Sequence, residues 1–441
     1  MRLLKHLDLK NWTEVGQELH SLVTDLYPIC RSITGDGLRR TLAAIQQRVP
    51  LQITEVPTGT VVFDWTIPKE WNIRDAYIKD SHGNRIVDFR RCNLHVLNYS
   101  MPVHVIMPLE KLKEHLFTLP EHPDWIPYRT SYYKEDWGFC LSDNQMRGLK
   151  DGDYEVCVDS TLADGHLTYG ECYFPGQSTE EVLISCHTCH PSLANDNLSG
   201  LAVATALAGF LKGRDLRYSY RFLFIPGTIG AIAWLARNRE NVGKIRNGLV
   251  LSGVGDAGGF HYKKSRRGNT EIDQAVAHVL RHCADAPEIL EFSPYGYDER
   301  QYCSPGFNLP IGCLMRSVWG TFPEYHTSAD NLDFIKPRQL AQSLRICTAV
   351  VDVLENNQRY RNLNPYCEPQ LGRRSLYRSK GGETIGVETN TLLWVLNLSD
   401  GEHTLLDISE QSGLSFEVIN DAAEVLSDNG LLSVVSEEIA A

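Results

Sequence analysis

The sequence predicts an α/β fold, a mostly parallel sheet with helices on both faces, interrupted by a β-rich insertion and followed by a separate helical module. Three observations lead there. Between about 170 and 357, strand-like apolar runs alternate with helical ones, the succession that builds a parallel sheet. From about 55 to 165 the chain switches to short alternating runs broken by Gly, Asn and Pro, a β signature. Residues 381–441 then hold twelve Asp or Glu and no Lys or Arg, so the net charge of −12 resides there while the body is balanced.

Taken in order, residues 11–48 read as helical, with Val15, Leu19, Leu22, Val23 and Leu26 near helical spacing. The runs TVVFDW, DAYIKD, RIVDF, HVLNYS and VHVIMPL read as the strands of the insertion. EVLISCH at 181–187 is a continuous apolar strand, followed by the helix LSGLAVATALAGFL, with small residues that let it pack close to a sheet. YSYRFLFIP is followed by IGAIAWLARN, and GLVLSGVG by a loop and the helix EIDQAVAHVLRHCA. A basic connector rich in Pro and Gly begins near Arg359. The limits expected are 1–55 and 166–360 for the α/β body, 56–165 for the insertion, 361–382 for a linker and 383–441 for the last module.

Composition narrows the setting. No apolar run reaches the roughly 18 residues of a membrane span, and MRLLKHLDLKNWTEVGQEL places charges where a signal peptide needs its apolar stretch. Twelve scattered cysteines read as reduced thiols rather than a disulfide framework. A cytoplasmic protein with no membrane partner is expected. The charge balance also argues against nucleic acid, whose binding rests on Lys and Arg.

The chemistry lies at the strand ends, where open α/β sheets place their ligands. EVLISCHTCHPSLANDNLSG supplies His187, Cys189, His190 and Asp196; the next strand ends before Pro226, Gly227 and Thr228; GLVLSGVGD ends on Asp256; and PEYHTSADN brings His326. Imidazole and carboxylate are zinc ligands, and a catalytic zinc keeps a position open for water. A carboxylate bridging two metals would suit a hydrolase that activates water. Spacing alone leaves both a metal site and a set of hydrogen-bonded histidines open. The CxxC of Cys186 and Cys189 reads poorly as a redox or structural zinc pair, because a second CxxC is absent and Cys186 alternates away from His187.

ANDNLSG at 194–200, after a strand ending in His187, resembles the DNxSG segment of the di-zinc aminopeptidases of clan MH. HTCHPSLANDNLSG, DERQYCSPGFNLPIG and PEYHTSADNLDFI together are similar to a narrower bacterial family with an aminopeptidase-like domain, often labelled polysaccharide-biosynthesis proteins. Over most of the chain, the resemblance implies a zinc-exopeptidase-like α/β domain, a β-rich inserted domain and a C-terminal winged-helix-like domain. It implies His187 and Asp196 as first ligands, Asp196 as the bridge, Asp256 as a further ligand and His326 as the late one. His190 is an alternative ligand. Tyr325, Asp298, Arg300 and Tyr302 fall on nearby loops, to contact substrate or to anchor those loops.

This sequence departs from the pattern at IPGTIGAIAWL. The aminopeptidases carry two adjacent glutamates there, a general base and a metal ligand, where this chain has Gly227 and Thr228. Loss of a general base costs roughly 10²–10⁴-fold in rate. One zinc is therefore expected rather than two, with Glu324, Asp298 or Glu299 as replacement base and with Gly227→Glu raising activity. The function implied is zinc-dependent hydrolysis of an amide bond in a peptide or aminoacyl conjugate. The alternative is a metal-bound, catalytically impaired scaffold that binds a peptide or glycan.

At the C-terminus the order of TNTLLWVLNL, TLLDISEQSG, SFEVINDAAEVLSDNG and LLSVVS resembles a winged helix. Its groove-entering helix carries Glu417, Asp421, Glu424 and Asp428 and nothing basic, so packing or protein interaction is expected in place of DNA reading. The insertion contains Trp65, Trp71, Trp125 and Trp137. These read as core, with the insertion walling or gating the metal site or forming a homo-oligomer contact.

Overall fold

A computed structural model describes residues 11–376 and 387–435. The chain forms two compact units, one of Asp8–Thr270 with Asp285–Cys347, the other containing Glu271–Ala284 and the chain from Thr348 onward.

The first unit is built on an eight-stranded sheet. From edge to edge its strands are Gln52–Pro57, His166–Phe174, Ser219–Ile225, Glu181–His187, Ile245–Leu251, Ile311–Met315, His261–Lys263 and Glu288–Leu290. The four central strands run parallel, and antiparallel pairings flank them. Every residue of Glu181–His187 is buried, as expected of a strand covered on both faces. The helix Gly200–Leu211 is likewise apolar almost all round, burying Leu201, Val203, Ala204, Leu207 and Ala208. Helix Trp12–Leu26 packs against it through one stripe, Leu19, Leu22, Val23 and Leu26. Gly16 is required in that helix, because a Cβ there would lie 2.3 Å from the Pro337 carbonyl oxygen.

Topology fixes where the site falls. From Glu181–His187 the chain crosses through Gly200–Leu211 to Ser219–Ile225 on one side, then through helix Ile229–Arg237 to Ile245–Leu251 on the other. The strand order reverses around Glu181–His187, and its carboxyl end opens into the crevice that such a reversal creates. His187 pairs in register with Ile225, so Gly227 lies just beyond that strand end.

The insertion forms a four-stranded antiparallel sheet in the order Arg85–Asp88, Glu70–Lys79, Asp153–Ala163, Val103–Pro108. Its core is continuous with that of the α/β body, since Trp71 and Val156 join Leu183 and Ile225 in one cluster. Trp71 is core, its indole N–H donating to the Ser100 carbonyl, whereas Trp65 is exposed against Tyr133. HVLNYS is not a strand: only isolated bridges form, Val96 with Phe139 and Asn98 with Thr130. Asn98 instead spends its amide on Ser32 and the Arg31 carbonyl, and Tyr99 sits at φ +74°, which ends any extended run.

The second unit has a three-stranded antiparallel sheet, Asp400–Thr404, Arg359–Asn362 and Leu432–Val434, with Arg359–Asn362 central. Helices Val387–Leu398, Leu405–Ser412 and Phe416–Asp428 accompany it. Thr404 and Asp407 cap the second helix reciprocally, and Gly413 ends it at φ +70°. Arg359–Asn362 straddles the junction that the sequence reading assigned to body and connector; with only Tyr360 buried, it gives no apolar run to find. Residues 377–382 of the expected linker, and 383–386 after it, lie outside the described residues. Helix Glu271–Cys283, read from sequence as part of the α/β body, belongs with this unit. His278 on that helix bonds Glu410 and the Phe416 amide. Among the described residues no helix is long and apolar enough to cross a membrane.

Candidate metal centre

Asp196 is the hub. It is 3 % exposed and presents one oxygen to each of two histidines, His187 Nε2 at 2.8 Å from Oδ1 and His326 Nε2 at 2.9 Å from Oδ2. His190 Nε2 lies 3.8 Å from Oδ2. His187, His190 and Asp196 offer ligand atoms all within 4.8 Å of one another, and all three residues are buried.

The flanking asparagines explain how the loop holds this carboxylate. Asn195 donates to Asp256 and accepts from the Gly255 amide, while Asn197 donates to the Leu251 carbonyl and accepts from the Gly253 amide. Both therefore lash the loop to the end of the neighbouring strand. Asp330 accepts from the amides of Asn195 at 2.6 Å and Asp196 at 2.9 Å. The His190 side is held by Arg31, 1 % exposed, whose guanidinium donates to the carbonyls of Leu26, His190 and Pro191.

Each imidazole has an aromatic wall. Tyr297 lies over His187 with ring centroids 3.8 Å apart, and Tyr325 stacks on His326 at 3.9 Å. Tyr128 meets both His190 and His326, at 5.2 and 5.1 Å. Tyr128 comes from the insertion, where residues 126–128 dock along 326–328: the Tyr128 amide donates to the His326 carbonyl, and Ile126 and Ser328 exchange two bonds. His326 itself sits at φ +56°, a left-handed conformation uncommon for a residue with a side chain.

The electrostatics suit a cation. Burial would push the Asp196 carboxyl up, but His190 and the bonds from His187 and His326 hold it well below the usual carboxylate range. Burial drives His190 well below an ordinary histidine, leaving its lone pair free. Burial, opposed by two amide bonds and aided by Asp196 and Asp256, pushes the Asp330 carboxyl up to about 8. His187 Nδ1 is buried without a hydrogen-bond partner, so its ring is not committed at both nitrogens to the protein. Three imidazoles and a carboxylate, converging in a buried crevice, are a donor set that fits zinc.

Other expected site residues fall elsewhere. Asp256 does not join the cluster, because its oxygens accept from Asn195, the Gly258 amide, and the Ser317 amide and hydroxyl. Tyr302 is fully buried, bonded to Ser185 and packed on Trp234, so the structure places it in the core. Arg300 is exposed on the same short helix. Glu299 is fully buried and paired with Lys263 at 2.5 Å, which removes it as a base. Asp298 is buried with both oxygens unpartnered; burial, then the Glu299 charge, pushes its carboxyl well above the usual range. Glu324 is half-buried, two positions before His326.

Gly227 has a neighbour that sequence reasoning missed. A Cβ there would lie 2.0 Å from Tyr297 Cε1 and 2.8 Å from its hydroxyl. The expectation that Gly227→Glu raises activity thus meets a further condition, because the Tyr297 ring must shift to admit that side chain. Tyr297 stands beside Asp298 in YGYDER, but nothing in its spacing marks it. Tyr128 and Arg31 were also missed, and no local pattern links them to the strand ends.

Comparison with known proteins agrees with this architecture. A family model described as a domain of unknown function, DUF4910, matches residues 20–357, and a winged helix-turn-helix model matches 358–434. A candidate polysaccharide biosynthesis protein with aminopeptidase-like domain from Clostridium acetobutylicum is 51% identical over 428 residues, 97% of this chain and 98% of that protein. A crystal structure of a candidate peptidase from Clostridium acetobutylicum superimposes with TM-score 0.92 at 50% identity, covering 97% of this chain and 98% of that one. A zinc aminopeptidase from Bacillus subtilis shares the fold, with TM-score 0.55 at 12% identity over 76% of this chain and 94% of its own. The chain thus has an aminopeptidase-like α/β fold with a C-terminal winged helix domain, and it belongs to the DUF4910 family.

Proposed function

We propose that the chain is a zinc-dependent hydrolase of amide bonds, acting on a peptide or an aminoacyl conjugate. The observation that carries this reading is the convergence of His187, His190 and His326 on the buried Asp196. These four residues would hold the metal, and one zinc is the better count because Asp256 is committed to four donors and Thr228 offers no carboxylate. When bound, zinc supplies polarisation of the amide carbonyl and acidification of water. The chain's own groups do the rest. Tyr128, Tyr297 and Tyr325 shield the ligands from solvent. Glu324, half-buried two positions before His326, is the proton acceptor, since Glu299 is locked to Lys263 and Asp298 is fully buried. Arg300, exposed on the helix after Asp298, is the candidate to orient an anionic end of the substrate. A reducing cytoplasm suits the twelve free thiols.

The test is metal content of untagged protein beside Asp196→Ala, with hydrolysis of aminoacyl amides and dipeptides. Zinc near one per chain, lost in the variant together with turnover, is expected. Absence of zinc from wild-type protein even after reconstitution would overturn the reading. The second reading, a zinc-bound scaffold for peptide or glycan, is favoured by Tyr297 filling the place of a general base. It predicts measurable ligand binding without turnover across a broad panel.

A further inference from the structure

We infer that Gly227 and Tyr297 are a matched pair: the glycine vacates the volume that the phenol ring occupies, and the ring positions His187 for the metal. This rests on the proposed metal centre and assigns a residue to it. Three observations place the ring. The missing Cβ at 227 would overlap it, at 2.0 Å from Cε1 and 2.7 Å from Cζ. Its face lies 3.8 Å from the His187 imidazole at a tilt of 35°. Its hydroxyl meets Cys189 Sγ at 3.5 Å, and that thiol in turn meets the Gly227 carbonyl at 3.6 Å.

The backbone of Tyr297 is fixed independently of the site. Its amide donates to Glu299, each oxygen at 3.1 Å, and Glu299 is anchored by Lys263. The backbone there is anchored, so a side chain grown at position 227 must be accommodated by rotation of the ring itself. A metal-bound imidazole carries partial positive charge, which an aromatic face favours. Tyr297 thus stabilises the metal-bound state of His187 without touching the metal, in the manner of outer partners whose loss weakens metal affinity. It is a positioning residue.

The test measures zinc affinity by chelator competition and the visible spectrum of the cobalt-loaded full chain, with thermal unfolding alongside. Tyr297→Phe keeps the ring and should hold affinity within about twofold. Tyr297→Ala should weaken zinc binding roughly 10–100-fold and alter the cobalt spectrum. Gly227→Ala, which displaces the ring, should do the same. The double variant should be no worse than Tyr297→Ala alone, because the three atoms nearest the new methyl group all belong to the ring that has been removed. Additive losses, or a Gly227→Ala protein with wild-type affinity and stability, would overturn the pairing. A wild-type protein that takes up neither metal would sink the metal reading and with it the positioning role. In that case the thermal double-variant cycle would still show whether the two residues share one volume, so the two failures are distinguishable.

Discussion

Lys263→Met should destabilise the first unit severely, and the size of the effect follows from the surroundings of the ammonium. Lys263 and Glu299 lie 2.5 Å apart with side-chain exposures of 4% and 0%. The ammonium also donates to the carbonyls of Tyr295 at 2.8 Å and Ser293 at 3.3 Å, so it has an acceptor for each of its three protons. Methionine fills similar volume but leaves the Glu299 carboxylate buried with, among the described residues, the Tyr297 amide as its remaining donor. An uncompensated buried charge of this kind costs about 3–5 kcal/mol. For a unit of this size, with an unfolding entropy of about 2.1 cal/mol/K per residue, that corresponds to a fall in Tm of roughly 4–7 °C. Urea unfolding followed by tryptophan fluorescence measures it, with Lys263→Met/Glu299→Gln as the companion that removes the charge and recovers most of the loss. A single variant within about 1 kcal/mol of wild type, or a double variant no better than the single, would refute the argument.

Three further outcomes follow from the same structure. Arg31→Met leaves the carbonyls of Leu26, His190 and Pro191 without donors, at about 1–3 kcal/mol for each buried orphan; a loss under 1 kcal/mol by urea titration would show that water replaces the guanidinium. In the second unit, burial outweighs the Glu410 contact and lowers the His278 pKa below its usual 6.5. Its neutral ring donates to Glu410 and accepts from the Phe416 amide. The unfolded state then binds more protons, so this stability is present above pH 6.5 and is lost as pH falls through the folded value. His278→Gln should therefore flatten the decline in Tm between pH 7 and 5, and an unchanged slope would assign the decline to other groups. Gly227→Glu should weaken zinc binding instead of raising turnover, and a variant with higher turnover at wild-type zinc content would show that Tyr297 moves aside.

How much of this was legible in the sequence depends on whether the signal is local. The strand Glu181–His187 and the helix after it announce themselves by continuous apolar runs, and the polar loop between them sits where such a junction must. That logic reaches His187, His190 and Asp196. It overreaches at Asp256, which also follows a strand but spends its lone pairs on its own loop. It fails at Tyr302, because a four-residue helix turns that side chain inward. Period-two alternation misled at HVLNYS, where isolated bridges to Phe139 and Thr130 replace a continuous ladder and Tyr99 turns to φ +74°. Arg31, Tyr128 and Tyr297 reach the site from distant segments, and only the packed chain shows their direction.

The docking of 126–128 on 326–328 has a consequence for how the protein comes into being. Ile126 and Ser328 are 202 positions apart in the chain, and the Tyr128 wall cannot form until both segments have been made. At a synthesis rate of about 5–20 residues per second, roughly 10–40 s separate the two. Over that interval His187, His190 and Asp196 emerge from the ribosome before His326, so the nascent crevice lacks one of its four donors and its cover. If the proposed metal centre loads through all four donors, loading follows the synthesis of His326, and a product stalled before it would carry a partial, open site.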